Sequence, residues 1–141
     1  YGGAEVGLCD FPSVARRLLE PESRLFYSSE ETFELLPGPQ YTDFEKVDRR
    51  ELVGQGWRVS ARSDRTGYRL EGKALSPSQS IHSEPVLPGS FQVTSDGRVI
   101  VTQIYGPTVG GYPKIAILQE VDLARFAQCR PGTQLHLVWR N

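Results

Sequence analysis

Apolar and polar positions alternate with a period of two in several short runs of the chain. Phe33 and Leu35 alternate against Thr32 and Glu34, and WRVS (Trp57 to Ser60) and YRLE (Tyr68 to Glu71) repeat the pattern. A period of two puts successive side chains on opposite faces of a half-buried strand. Phe91 and Val93, followed by Val99 to Ile104, bracket Ser95-Asp96-Gly97, and an Asp-Gly pair between alternating runs predicts a hairpin. A further strand is expected at IAIL (Ile115 to Leu118), and QLHLVW closes the series. In that last run His136 falls on the face opposite Leu135, Leu137 and Trp139, which turns it to solvent.

Three stretches carry a helical period instead. PSVARRLLEP, ending at Pro21, offers Ser13 as cap and Val14, Leu18 and Leu19 as an apolar face. Thr42 to Leu52 begins with Thr42 and Glu45 in capping-box spacing, and Phe44, Val47 and Leu52 define its inner face. VDLARFAQC starts at Asp122 as cap and turns Leu123, Phe126 and Ala127 inward. The prolines and glycine of PGPQ end the Phe33 strand. Residues 1–11 are glycine-rich and carry no clear period. About eight strands with two or three short helices, no alternation of strand and helix and no repeat predict a mainly β fold, an antiparallel barrel or sandwich with helices at its ends.

Composition narrows the function classes. The chain has 141 residues, 38% of them apolar, enough for one domain with a substantial core. Sixteen basic against seventeen acidic side chains leave a net charge of −1 without a block of like charge, which argues against nucleic acid or an anionic membrane as partner. No apolar run reaches the roughly 20 residues of a membrane span and no secretory leader pattern is present, so the expected location is the cytoplasm. A start at Tyr1 and the absence of methionine read as a segment of a longer product. Cys9 and Cys129 lack neighbours at metal-ligand spacing and are expected as small buried hydrophobes, with no metal site.

The most heavily punctuated stretch is YGPTVGGYPKIA, Tyr105 to Ala116. Gly110 and Gly111 allow positive φ or close backbone approach, and Pro107 and Pro113 stiffen the segment. That is more than a connector needs, and it reads as a shaped surface for a ligand or simply as a long β-loop. ARSDRTG and the strand after it concentrate Arg62, Arg65 and Arg69, which suit a carboxylate or phosphate, or pair with Asp64 and Glu71 as a solvated network.

Six pieces, in order, carry a family resemblance: LLPGPQ (Leu35 to Gln40), SDRTGYRLEG (Ser63 to Gly72), SEPVLPGSFQV (Ser83 to Val93), DGRVIV (Asp96 to Val101), GPTVGGYPKIA (Gly106 to Ala116) and DLARFAQCRPGT (Asp122 to Thr133). Together they resemble the family of the 5-oxoprolinase C subunit, also described as allophanate hydrolase subunit 2 or the biotin-dependent carboxyltransferase-like domain. The resemblance implies a cyclophilin-like antiparallel β-barrel over residues 35–141, with residues 1–34 unassigned and a companion half upstream.

It also implies a part in a multi-subunit, ATP-dependent hydrolase taking 5-oxoproline to glutamate, or in a biotin-dependent urea or allophanate carboxyltransferase. ATP, and in the second case biotin, would be the cofactors. The partners would be the enzyme's KipI-like B subunit and its A subunit, and the chain would not act alone. On this reading Arg65 and Arg69 hold an anionic group, Gln92 and Thr108 bond an amide, and the Gly110-Gly111 backbone allows close approach. Tyr112 forms a wall and Lys114 supplies positive charge to the reaction. His82 and His136 lie outside the motifs, so no self-contained triad is expected. The alternative is a regulatory module that binds a KipI-like kinase inhibitor and performs no chemistry.

Overall fold

The computed structural model describes residues 28–141; the helix expected at Pro12 to Pro21, the glycine-rich start and Cys9 lie outside them. Among the described residues nine strands form: β1 (Glu30–Pro37), β2 (Gly56–Val59), β3 (Gly67–Glu71), β4 (Glu84–Pro85), β5 (Ser90–Val93), β6 (Val99–Thr102), β7 (Val109–Gly110), β8 (Lys114–Leu118) and β9 (Gln134–Trp139). Two short helices, α1 (Lys46–Gly54) and α2 (Leu123–Ala127), accompany them, each preceded by a single 3₁₀ turn. Seven strands close into a barrel in the order β1-β8-β5-β6-β3-β2-β9, and β4 and β7 make a separate two-stranded sheet. The mainly β barrel expected from the alternation is the fold found.

Every ladder of the barrel is antiparallel except the one that closes it. β1 and β9 run parallel over six residue pairs, from Glu30 with Gln134 to Leu35 with Trp139. The Asp96-Gly97 hairpin joins β5 to β6, with Gly97 at φ +79° in the left-handed region that glycine tolerates. A side chain there would also strike the Leu75 carbonyl oxygen, so the hairpin tip is seated against the Leu75 backbone.

Alternation fills the interior: Phe33, Leu35, Trp57, Val59, Leu70, Phe91, Val93, Val99, Val101, Leu135 and Leu137 are buried, while His136 on β9 is exposed as its position predicts. Phe126 of α2 meets Phe33 edge-to-face at 5.1 Å between ring centroids and also approaches Tyr68 and Phe91. Offset and edge-on ring pairs of this kind add roughly 0.5–1.5 kcal/mol beyond burial. Tyr68 ties the same helix to β3 by donating its hydroxyl to the Ala127 carbonyl at 2.6 Å. Tyr68→Phe is expected to cost about 1 kcal/mol of stability, read by chemical denaturation.

α1 starts later than its expected cap suggests, while α2 starts where expected, after Asp122. α1 begins at Lys46 with Glu45 as cap residue, and no side chain caps it. The later start changes its phase: Asp48 and Leu52, four apart, face inward, and Val47 is exposed instead of buried. The Trp57 and Trp139 indole N–H groups donate to the Leu52 and Arg49 carbonyls, pinning α1 to the barrel. In α2, Asp122 forms an ion pair with Arg125 instead of capping, and Ala127 faces solvent while Phe126 takes the core position.

Candidate functional site

The barrel register aligns Lys114 of β8 with Gln92 of β5, Gln92 with Ile100 of β6, and Ile100 with Arg69 of β3. Three residues singled out from the sequence therefore stand in one row across four strands. With about 4.8 Å between neighbouring strands, the row places Arg69 some 14 Å from Lys114. A β-bulge between β5 and β8 lies beside Gln92, and bulges re-aim side chains next to functional sites.

The β4–β7 sheet covers the Lys114 end of the row. Glu84 pairs with Gly110 and Pro85 with Val109, and Val86 N–H donates to the Thr108 carbonyl at 2.9 Å. Gly110 makes this cover possible. A Cβ there would lie 3.1 Å from the Gln92 Oε1 and from a Val86 methyl, and one at Gly111 would lie 3.2 Å from the Ile81 carbonyl. Neither glycine has a positive φ; of the two reasons for glycine given by the sequence, close approach is the one that applies.

Beneath the cover sits a polar cluster. Lys114, only 2% exposed, ion-pairs through its ammonium with Glu84 Oε1. Gln40 binds both: its Nε2 donates to the same Glu84 oxygen at 2.8 Å, and its Oε1 accepts from the Lys114 backbone N–H at 3.0 Å. Gln92 donates to Thr102 Oγ1 at 2.7 Å, with both residues buried. The Lys114 ammonium and then the Gln40 amide hold the Glu84 carboxyl below its usual 4.5.

Gly38 sets Gln40 in place. Its N–H donates to the Ile115 carbonyl at 3.0 Å, and a Cβ would meet the Lys114 carbonyl oxygen at 2.3 Å, so only glycine lets this segment lie against β8. Sequence reasoning found Gln92, Gly110 and Lys114 but missed Gln40 and Glu84. Gln40 lies in LLPGPQ, read only as the end of a strand, and Glu84 in SEPVLPGSFQV, where it was given no role, so the signal was present in the motifs themselves.

The remaining candidates lie elsewhere. Arg65 lines a cavity of about 380 Å³ with Tyr68, Gln103 and Pro131, its guanidinium 6.0 Å from the Tyr105 ring centroid. Arg69 lines a different cavity with Arg62 and Arg98. Thr108 and Tyr112 are exposed on the loop. Asp64 shapes its own turn, accepting from the Thr66 N–H and Oγ1 and from the Gly67 N–H, and these bonds keep its carboxyl below the usual 3.8. Burial, with Glu31 adding to it, pushes the Cys129 thiol up to about 11, away from nucleophile chemistry. Among the described residues no group of three or more His, Cys, Asp and Glu side chains could hold a metal ion, and no helix is long and apolar enough to cross a membrane.

A covered lysine, a carboxylate and two carboxamides thus stand together at the outer face of a closed β-barrel. Residues 6–139 match the family described as carboxyltransferase domain, subdomain A and B, and the chain belongs to that family. It is 37% identical over 105 residues to the C subunit of 5-oxoprolinase from Escherichia coli strain K12, covering 73% of this chain and 34% of that protein. The C subunit of the Haemophilus influenzae 5-oxoprolinase is 34% identical over 102 residues, covering 71% and 33%. The chain thus spans about a third of the length of these curated relatives. The crystal structure of Kluyveromyces lactis urea carboxylase superposes with a TM-score of 0.75 at 21% identity, covering 84% of this chain and 12% of that one, a likeness of fold.

Proposed function

We propose that this chain contributes the amide-recognition part of an ATP-coupled amide hydrolase acting on 5-oxoproline, at a site completed by other subunits. The observation that carries the reading is the Gln40–Glu84–Lys114–Gln92 cluster under the Gly110 backbone. A lactam presents one N–H donor and one carbonyl acceptor in a plane. The Glu84 carboxylate accepts and the Lys114 main-chain N–H donates, and Gln40 occupies both with its own carboxamide, an internal stand-in for such a substrate. When an amide displaces Gln40, its N–H meets Glu84 and its carbonyl takes the Lys114 main-chain N–H, while the Lys114 ammonium, paired with the same Glu84 oxygen, supplies positive charge nearby as negative charge develops on the carbonyl oxygen. The β4–β7 cover must lift for this exchange, and few main-chain bonds hold it. ATP would be the co-substrate of the assembled enzyme.

In the full-length protein reconstituted with its partner subunits, Lys114→Met is expected to lower 5-oxoproline-dependent ATP hydrolysis by about 100-fold, the scale of losing one charge-stabilising donor. The thermal midpoint should fall by only a few degrees, because Glu84 keeps contact with water. Unchanged turnover in a folded variant would remove Lys114 from the reaction. A second reading, a module that docks a KipI-like protein through this loop, is favoured by one observation: Ile104 and Tyr105 are 76% and 73% exposed, with Val109 and Leu87 also exposed. Tight capture of the KipI-like protein by a chain whose full-length form supports no amide-dependent ATPase would decide for it.

A further inference from the structure

The far end of the Lys114–Gln92–Ile100–Arg69 row leaves the β4–β7 cover and opens on a cavity of about 320 Å³. Three guanidinium side chains line it from three separate elements: Arg62 from the β2–β3 loop, Arg69 from β3 and Arg98 from the β5–β6 hairpin. Trp57 and Ser60 are also part of its wall. Acidic groups answer only part of this charge. Asp96 pairs with Arg98 at 2.9 Å, both side chains being more than half exposed. Glu71, also in the lining, stands directly across the β2–β3 ladder from Arg58, which adds a fourth cation to the neighbourhood.

Asp64 also faces Arg69, and four arginines against three carboxylates leave a local excess of positive charge on a chain whose net charge is −1. The strand register fixes Arg69 relative to Arg58, and the Ser63 hydroxyl, which accepts from the Arg69 N–H at 3.0 Å, holds the loop bearing Arg62 against β3.

We propose that this cavity is a binding site for a phosphate group carried by a small molecule. A carboxylate is planar and is satisfied by one guanidinium fork, whereas donors arriving from three elements suit the tetrahedral array of oxygens on a phosphate. The volume leaves room for part of the molecule bearing the group. Lys114 and Glu84 take no part in it, so the site stands or falls independently of the amide reading.

The test is a titration of the purified chain at constant ionic strength, followed by calorimetry or backbone NMR, with phenyl phosphate, inorganic phosphate and malonate as probes. Phenyl phosphate is expected to bind at least tenfold more tightly than malonate and more tightly than inorganic phosphate, with shifts centred on Arg62, Arg69 and Arg98. Arg62→Ala and Arg69→Ala should each weaken it by about tenfold, the scale of one charge-assisted contact, while Arg140→Ala, outside the cavity, should not. Tighter binding of inorganic phosphate than of the monoester, with the same dependence on the arginines, would keep the phosphate site and make the free ion its ligand. Equal affinity for malonate, or undiminished binding to an Arg62→Ala and Arg98→Ala double variant that melts like the wild type, would overturn the proposal.

Discussion

Replacing Glu84 with glutamine is expected to lower the thermal midpoint at pH 7 by about 10 °C, more than Lys114→Met does, although the two changes break the same ion pair. The asymmetry follows from what each variant leaves behind. Without Glu84 the Lys114 amine, 2% exposed, is left buried with no counter-ion. Without Lys114 the Glu84 carboxylate still meets water and the Gln40 amide. The pH dependence has a definite sign. Glu84 titrates below its usual 4.5 in the folded chain, so the pair's contribution is complete above about that pH and is lost as pH falls through the depressed value. The gap between wild type and Glu84→Gln in thermal melts should therefore narrow at pH 3. A gap that stays constant would place the stabilisation somewhere other than this pair.

The second large effect belongs to α2. Phe126→Ala is expected to cost about 3–5 kcal/mol in denaturant unfolding. The ring is 1% exposed and touches Phe33, Tyr68 and Phe91, which belong to three different strands, so the space it leaves has rigid walls on several sides and collapses poorly. Phe126→Leu, which keeps most of the volume, should recover more than half of the loss. Equal losses for the two variants would show that the edge-on ring geometry, rather than the filled volume, holds the helix.

The strands were legible because burial on one face imposes a period of two that the sequence carries on its surface: Phe33 with Leu35, Leu135 with Leu137, and the Asp96-Gly97 corner all fall where the alternation puts them. Helix phase was less legible. Capping residues compete with tertiary anchors, and in α1 the indole bonds from Trp57 and Trp139 fix a frame that Thr42 and Glu45 do not. The parallel β1–β9 ladder is invisible to a local pattern because it joins residues about a hundred positions apart.

The site divided along the same line. Gly110 stood out by punctuation and Gln92 and Lys114 through the family resemblance, and the fold gathers the three. Gln40 and Glu84 gain meaning only when two distant loops meet over β8. The arginines of one short stretch looked like a single clamp, yet residues four apart on a turn and a strand point to different cavities, and Arg69 keeps company with Arg98 instead of Arg65.

β9 is the keystone of the closed sheet, since it pairs with β1 on one side and β2 on the other. During synthesis those strands must wait with raw edges until about 75 residues beyond β2 and about a hundred beyond β1 have emerged, which makes closure a late, slow event and leaves the nascent chain prone to aggregation. A product that lacks β9 would present an open, self-adhesive sheet, so it should accumulate as aggregate.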